Sequence, residues 1–256
     1  MEQVSRTTLL CDNTVDGIFT AIYKAWEIGP GRTSVMVDDG GFMSMLPDHI
    51  RIETDIQLSV KVSQSIRNKI SEEAYTMVYQ AALSDKNGKA QCIYRFLQKG
   101  FRTGGRIIDY LQDEDVRNVY EMSRYVWHES HKYMGFVRFE EVAGKVLVSK
   151  IAARANVIPL LADYFADRLS QENWIILDTD RNFAAIHRSG CIPLLFDNIT
   201  EEQLSLIGRL SDKEKEFQDL WSCFYNTIAI EERKNIRQQM SVMPKRYRRY
   251  MTAENE

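Results

Sequence analysis

Between residues 63 and 134 the apolar side chains recur at three- and four-residue spacing, and beyond residue 135 that rhythm gives way to short β-prone runs joined by turn residues. A chain whose period changes this way is neither a pure helix bundle nor a pure sandwich; it reads as α+β. The helical middle comprises helices over 63–83 and 89–100, parted by Ser84-Asp85-Lys86-Asn87-Gly88, whose Asn-Gly pair suits a left-handed helix end. A third begins at Asp113 and carries the stripe Val116, Val119, Tyr120, Ser123, Val126, Trp127, Ser130 and Met134, ending at Gly135.

Before this middle lies a β-turn-α unit. Residues 7–11 are β-prone, Asp12-Asn13-Thr14 offers capping oxygens, and Val15, Ile18, Phe19, Ile22 and Trp26 form one helical stripe that Gly29-Pro30-Gly31 stops. Residues 35–47 read as a loop and 51–58 as a short strand. After the middle, 136–142 and 145–151 form a hairpin through Ala143-Gly144, and Ile158, Leu161, Ala162, Phe165 and Leu169 form a helix. A second hairpin joins 174–177 to 183–187 through Thr179-Asp180-Arg181-Asn182. A last helix, interrupted near Ser211, carries Phe217, Leu220, Trp221, Phe224 and Ile228 on one face. The expected architecture is an antiparallel sheet of hairpins packed against several helices. It forms one α+β domain over 1–256, with a helical lobe at 63–134, a sheet-rich lobe at 135–200 and a basic tail at 233–256.

With 256 residues, 44% of them apolar and 27% charged, the chain can bury a core of its own. Its net charge of −3 means that any nucleic-acid face must come from local clustering of Lys and Arg. Cys11, Cys92, Cys191 and Cys223 are dispersed with no Cys-x-x-Cys pair, which argues against a zinc ribbon, an iron–sulfur centre or a disulfide framework. The charged first residues, without an apolar core, are not expected to act as a secretory signal, and no apolar run approaches the roughly 20 residues of a membrane span. A cytoplasmic protein with no membrane partner is expected.

The strongest electrostatic feature is the run 233–251, where Arg233, Lys234, Arg237, Lys245, Arg246, Arg248 and Arg249 occur with no acidic residue among them. Tyr247 and Tyr250 interleave with the arginines, a combination that suits a phosphate backbone plus stacking; a solvated tail, or a strap docked on acidic surface, is the competing interpretation. Lys-Gly-Phe-Arg-Thr-Gly-Gly-Arg over 99–106 adds Arg102 and Arg106 beside glycines that free backbone N–H groups for an anion, although the same pattern also describes a helix end with a loop. It lacks the Lys-Ser/Thr ending of a nucleotide hydrolase loop. His128 and His131 are three apart, whereas the His-Glu-x-x-His metal helix needs four, so no metal site is expected. Asp178, Asp180 and Arg181 cluster at a hairpin turn that itself favours Asp. His131, Asp178 and Arg181 are the catalytic candidates, and no nucleophile elbow or cofactor motif accompanies them.

Three segments together resemble a bacterial family of DNA-metabolism or DNA-repair proteins: residues 9–26, from Leu-Leu-Cys-Asp-Asn to Lys-Ala-Trp; residues 129–181, with His131, Lys132, Arg138, Arg168, Asp178 and Arg181; and residues 220–247, with Arg233, Asn235, Lys245, Arg246 and Tyr247. The chain departs from that family in having Tyr164 where a histidine is usual, and Arg248 where an aromatic is usual. The resemblance implies a neighbouring radical-SAM protein as partner and kinship with domains fused to a uracil-DNA-glycosylase-like domain. It implies no catalytic residues and no cofactor. Three roles follow as expectations. The first is a DNA-binding accessory protein using Lys245, Arg246, Arg248 and Arg249. The second is an enzyme on DNA or a nucleobase using His131, Asp178 and Arg181. The third is a protein-docking partner of the radical-SAM protein.

Overall fold

The computed structural model describes residues 7–38, 49–142, 146–199, 211–228 and 240–250. The chain divides into two compact units, Met1–His128 and Glu129–Glu256.

In the first unit, strand β1 (Thr7–Cys11) is central, and Leu9, Leu10 and Cys11 are all buried. Burial on both faces is the habit of parallel sheets, and β1 pairs in parallel with β2 (Thr33–Val37) on one side and β3 (His49–Arg51) on the other. Helix α1 (Val15–Ile28) is the crossover that parallel pairing of β1 and β2 requires. Thr14 caps it through Oγ1, which accepts from the Gly17 amide at 2.9 Å. Part of the expected loop at 35–47 is therefore strand, and the strand expected at 51–58 ends at Arg51. Asp55 stops it: its carboxylate accepts from the Gln57 and Leu58 amides at 2.8 and 3.2 Å and so starts helix α2 (Ile56–Lys69).

The helix expected over 63–83 is two helices. Ser71 Oγ accepts from the Ala74 amide at 3.0 Å and begins α3 (Glu72–Ala82) after a break at Ile70. Gly88, at φ 76°, occupies the left-handed position before α4 (Lys89–Thr103). The Lys89 ammonium, buried between these helices, donates to the Ala82 and Ser84 carbonyls at 2.6 and 2.7 Å. A 3-10 turn (Gly104–Asp109) leads to α5 (Glu114–Phe136), which runs across the boundary between the units.

The second unit holds a five-stranded sheet in the order β4-β5-β6-β7-β8, formed by β4 (Glu140–Val142), β5 (Val146–Ile151), β6 (Trp174–Asp178), β7 (Phe183–His187) and β8 (Leu194–Asp197). The sheet is mixed rather than antiparallel throughout. Both expected hairpin pairings, β4 with β5 and β6 with β7, are antiparallel, but β5 and β6 are parallel because helix α6 (Ile158–Arg168) carries the chain between them. The first hairpin strand is also shorter than 136–142, since α5 continues to Phe136; its turn at 143–145 lies outside the described residues. Strand β8, unforeseen, pairs antiparallel with β7. Helix α7 (Asp212–Ile228) begins at Ser211, whose Oγ accepts from the Glu214 amide at 3.1 Å; the interruption expected just before it lies outside the described residues. Among the described residues no helix is long and apolar enough to cross a membrane.

Candidate nucleic-acid interface

Asp178 ends β6 with its side chain fully buried, and its carboxylate accepts the Asp180 amide at 3.1 Å and the Arg181 guanidinium at 2.9 Å. Burial raises its pKa above the ordinary carboxylate range, outweighing the pull of Arg181 in the other direction. Arg181 also donates to the Ala153 carbonyl at 2.6 Å and to the Arg154 carbonyl. From α5, Glu129 accepts the Arg154 and Ala155 amides at 3.2 and 2.9 Å, while the Tyr133 hydroxyl donates to the Ala152 carbonyl at 2.8 Å. The loop after β5 is thus held by its carbonyls and by its amides. Asp178 and Arg181 are brought together as expected, but every bond of the pair goes to the protein's own hairpin and loop. His131 does not join them: it is solvent-exposed and lies about 200° around the helix from Glu129, two residues before it.

The described part of the tail, residues 240–250, is a docked segment. Tyr247 is only 4% exposed, with its ring 4.9 Å from Tyr133 and 5.3 Å from Phe136, so it packs the interior and offers no face to a base. This corrects the expectation that it stacks on nucleic acid. Arg246 lies over the Tyr247 ring at 4.6 Å, donates to its hydroxyl at 2.6 Å and approaches Glu129 at 3.7 Å. Burial raises the pKa of Tyr247, so the ring enters this contact as a neutral phenol. Tyr250 meets the Thr179 hydroxyl at 2.7 Å, Arg249 pairs with Asp180 at 3.2 Å, and Arg248 donates to the Met243 carbonyl at 3.0 Å. Lys245 is exposed, with no carboxylate partner among the described residues. Arg233, Lys234 and Arg237 lie outside the described residues.

Where this segment meets α5 and β5 there is a small cleft. Arg138, Lys150, Arg246 and Tyr250 stand on its walls, and no acidic side chain lines it. Lys132, also exposed, points its ammonium at the Tyr247 ring from 5.7 Å. Sequence reasoning missed Glu129, Tyr133 and Lys150. Glu129 and Tyr133 continue the inward stripe of Val126 at three- and four-residue spacing, which was the available signal; nothing in the pattern marks Lys150.

Arg102 and Arg106 belong to the first unit, exposed at the end of α4 and in the 3-10 turn, and neither has a carboxylate partner among the described residues. The 99–106 segment is not an open anion loop. Lys99 is held at 2.6 Å by Asp113 and at 2.8 Å by Asp115, and Gly105 lies where a Cβ would come within 3.1 Å of the Ile70 carbonyl oxygen. Close packing explains that glycine.

A family model described as a domain of unknown function, DUF4130, matches residues 87–253. No curated protein matches the chain. Among solved structures, a DHH domain described as a member of the s1p family of ribosomal proteins is 9% identical, with a TM-score of 0.31, covering 73% of this chain and 74% of that one.

Proposed function

Because the chain belongs to the DUF4130 family, whose function is undefined, we propose from its own surface chemistry that it is a nucleic-acid-binding accessory protein of DNA metabolism that works beside a radical-SAM protein. The observation that carries this reading is the cleft lined by Arg138 and Lys150, with exposed Lys132 and Lys245 on the elements that form it and Arg246, paired with Glu129, in its wall. A phosphate backbone crossing such a surface replaces condensed counterions with fixed cations, so binding is strong at low salt and declines steeply as salt rises. The resemblance of three segments to DNA-repair proteins, some related to domains fused to a glycosylase-like domain, supports a holding role next to chemistry done elsewhere. Asp178 and Arg181 clamp a loop, which favours binding over autonomous catalysis.

Fluorescence anisotropy with labelled single- and double-stranded DNA tests the proposal. Arg138→Ala and Lys150→Ala are each expected to weaken binding about three- to tenfold at low salt, with folding retained because both side chains reach solvent. Absent binding, or affinity indifferent to salt, would remove it. A docking face for the radical-SAM partner is supported by the apolar stripe Phe217, Leu220 and Trp221 on α7, which is 69%, 66% and 54% exposed. Co-purification that is lost on Leu220→Asp but kept on Lys150→Ala would separate partner binding from DNA binding.

A further inference from the structure

The first unit contains a cleft that the second unit's cations do not explain. Helices α1, α2 and α4 line an open cleft of about 430 Å³, within the size range of small-molecule sites. Its apolar wall is aromatic: Tyr23 and Trp26 from α1 and Phe101 from α4, with Trp26 and Phe101 edge to face at 4.9 Å. Two cations also line it, Lys69 at the end of α2 and Arg102 at the end of α4. The two helix ends come close because Gly100 has no side chain, and Ile70 Cδ1 sits 2.8 Å from where a Cβ would be. No acidic residue lines the cavity, and among the described residues neither Lys69 nor Arg102 has a carboxylate partner. The Gln98 amide in the same wall makes no hydrogen bond to a described residue.

An aromatic wall, two cations with no carboxylate partner among the described residues and one amide able both to donate and to accept match a ligand that carries both a flat ring and an anion. We propose that this cleft binds a nucleoside phosphate, its base against Trp26 and Phe101, its phosphate between Lys69 and Arg102, and its base edge read by Gln98. Stacking tolerates any base, while the paired cations make the phosphate obligatory. The same chemistry reaches the cleft either as a free mononucleotide or as an unstacked nucleotide of a single strand. This site stands independently of the reading given for the second unit.

Calorimetric titration of the full chain with AMP, adenosine, inorganic phosphate and a single strand of about ten nucleotides tests it. AMP or the strand is expected to bind saturably, with adenosine and phosphate alone each weaker by about tenfold or more. Lys69→Ala and Arg102→Ala are each expected to lower that affinity about five- to tenfold without moving the melting temperature, and Lys215→Ala, which removes a lysine paired with Asp212, is expected to leave it unchanged. Affinity for AMP identifies a free nucleotide as the source; affinity for the strand without affinity for AMP, lowered by Lys69→Ala and Arg102→Ala, identifies an unstacked one. The proposal is overturned if neither binds, if phosphate binds as well as AMP, or if the Lys69→Ala and Arg102→Ala chains bind as the unaltered one does. Failure here with intact salt-dependent DNA binding by the second unit leaves the function proposed above standing, and the reverse result leaves the cleft standing.

Discussion

At the scale of single residues, burial decides which side chains can act on other molecules. Tyr247 shows it most clearly, since the stacking partner expected from its arginine-flanked position is an interior ring. Tyr247→Ala is expected to destabilise the second unit by about 3 kcal/mol, the usual cost of removing a buried aromatic. Tyr247→Phe loses chiefly the bond from Arg246 and should cost about 1 kcal/mol while leaving DNA affinity unchanged. Denaturant melts read both, and a large loss of DNA affinity in a folded Tyr247→Phe chain would contradict the buried role. Cysteine reactivity follows the same logic. Burial pushes the Cys11 thiol up to about 12 and raises that of Cys92 as well, whereas Cys191 and Cys223 are exposed. Alkylation of the native protein near neutral pH, followed by mass spectrometry, should therefore modify Cys191 and Cys223 first, Cys92 slowly and Cys11 only after unfolding.

At the scale of elements, capping residues place breaks that periodicity alone runs through. The stripe from α2 into α3 stays in phase closely enough to look like one helix over 63–83, and only the Ser71 cap divides it. Ser71→Ala is expected to cost about 1 kcal/mol. Elements with long, regular stripes, such as α1, α4, α5 and α6, were legible in the sequence for that reason. Pairing direction was not, because it depends on the connection between strands: α1 and α6 are crossovers, and each forces a parallel pair where a reading strand by strand sees only hairpins. Strand β8 escaped because Leu194, Leu195 and Phe196 are all exposed and give no alternation. Of the candidate site, the Asp178–Arg181 pair was legible as a turn signature, while the residues that bond the adjoining loop come from distant α5 and carry no local signal. Helix α7 meets β4 through acids: the Glu141 amide donates to Glu214 at 3.1 Å, and Glu140 sits close by. Burial, and then the Glu214 charge, raise the pKa of Glu140. The folded state therefore holds that proton at pH values where the unfolded chain has released it, and stability falls as pH rises from about 4.3, the ordinary glutamate value. Glu140→Gln should melt higher than the unaltered protein at pH 7, and the gap should close as pH approaches 4. A gap that widens on acidification would show that the ionised carboxylate is the stabilised form.

At the scale of the whole molecule, a net charge of −3 gives no general attraction to a polyanion, so any affinity for nucleic acid must be contact by contact. This separates two ways in which salt can act. If binding rested on the long-range field, removing any exposed lysine would matter about equally. If it rests on the cleft of the second unit, only cations that replace counterions change the salt slope. For duplex DNA each such contact contributes about 0.9 to the slope of log affinity against log salt concentration. The combined Arg138→Ala, Lys150→Ala and Lys245→Ala chain should therefore lose about 2.7 of that slope, whereas Lys24→Ala, which removes an exposed lysine already paired with Glu27, should leave it unchanged. Arg181 tests the boundary between structure and binding. Arg181→Ala strands the buried Asp178 carboxylate and frees the Ala153 and Arg154 carbonyls, so it should destabilise the second unit by about 3 kcal/mol. At temperatures where that variant remains folded, its salt slope should match that of the unaltered chain, because the guanidinium serves the loop and not the phosphate backbone.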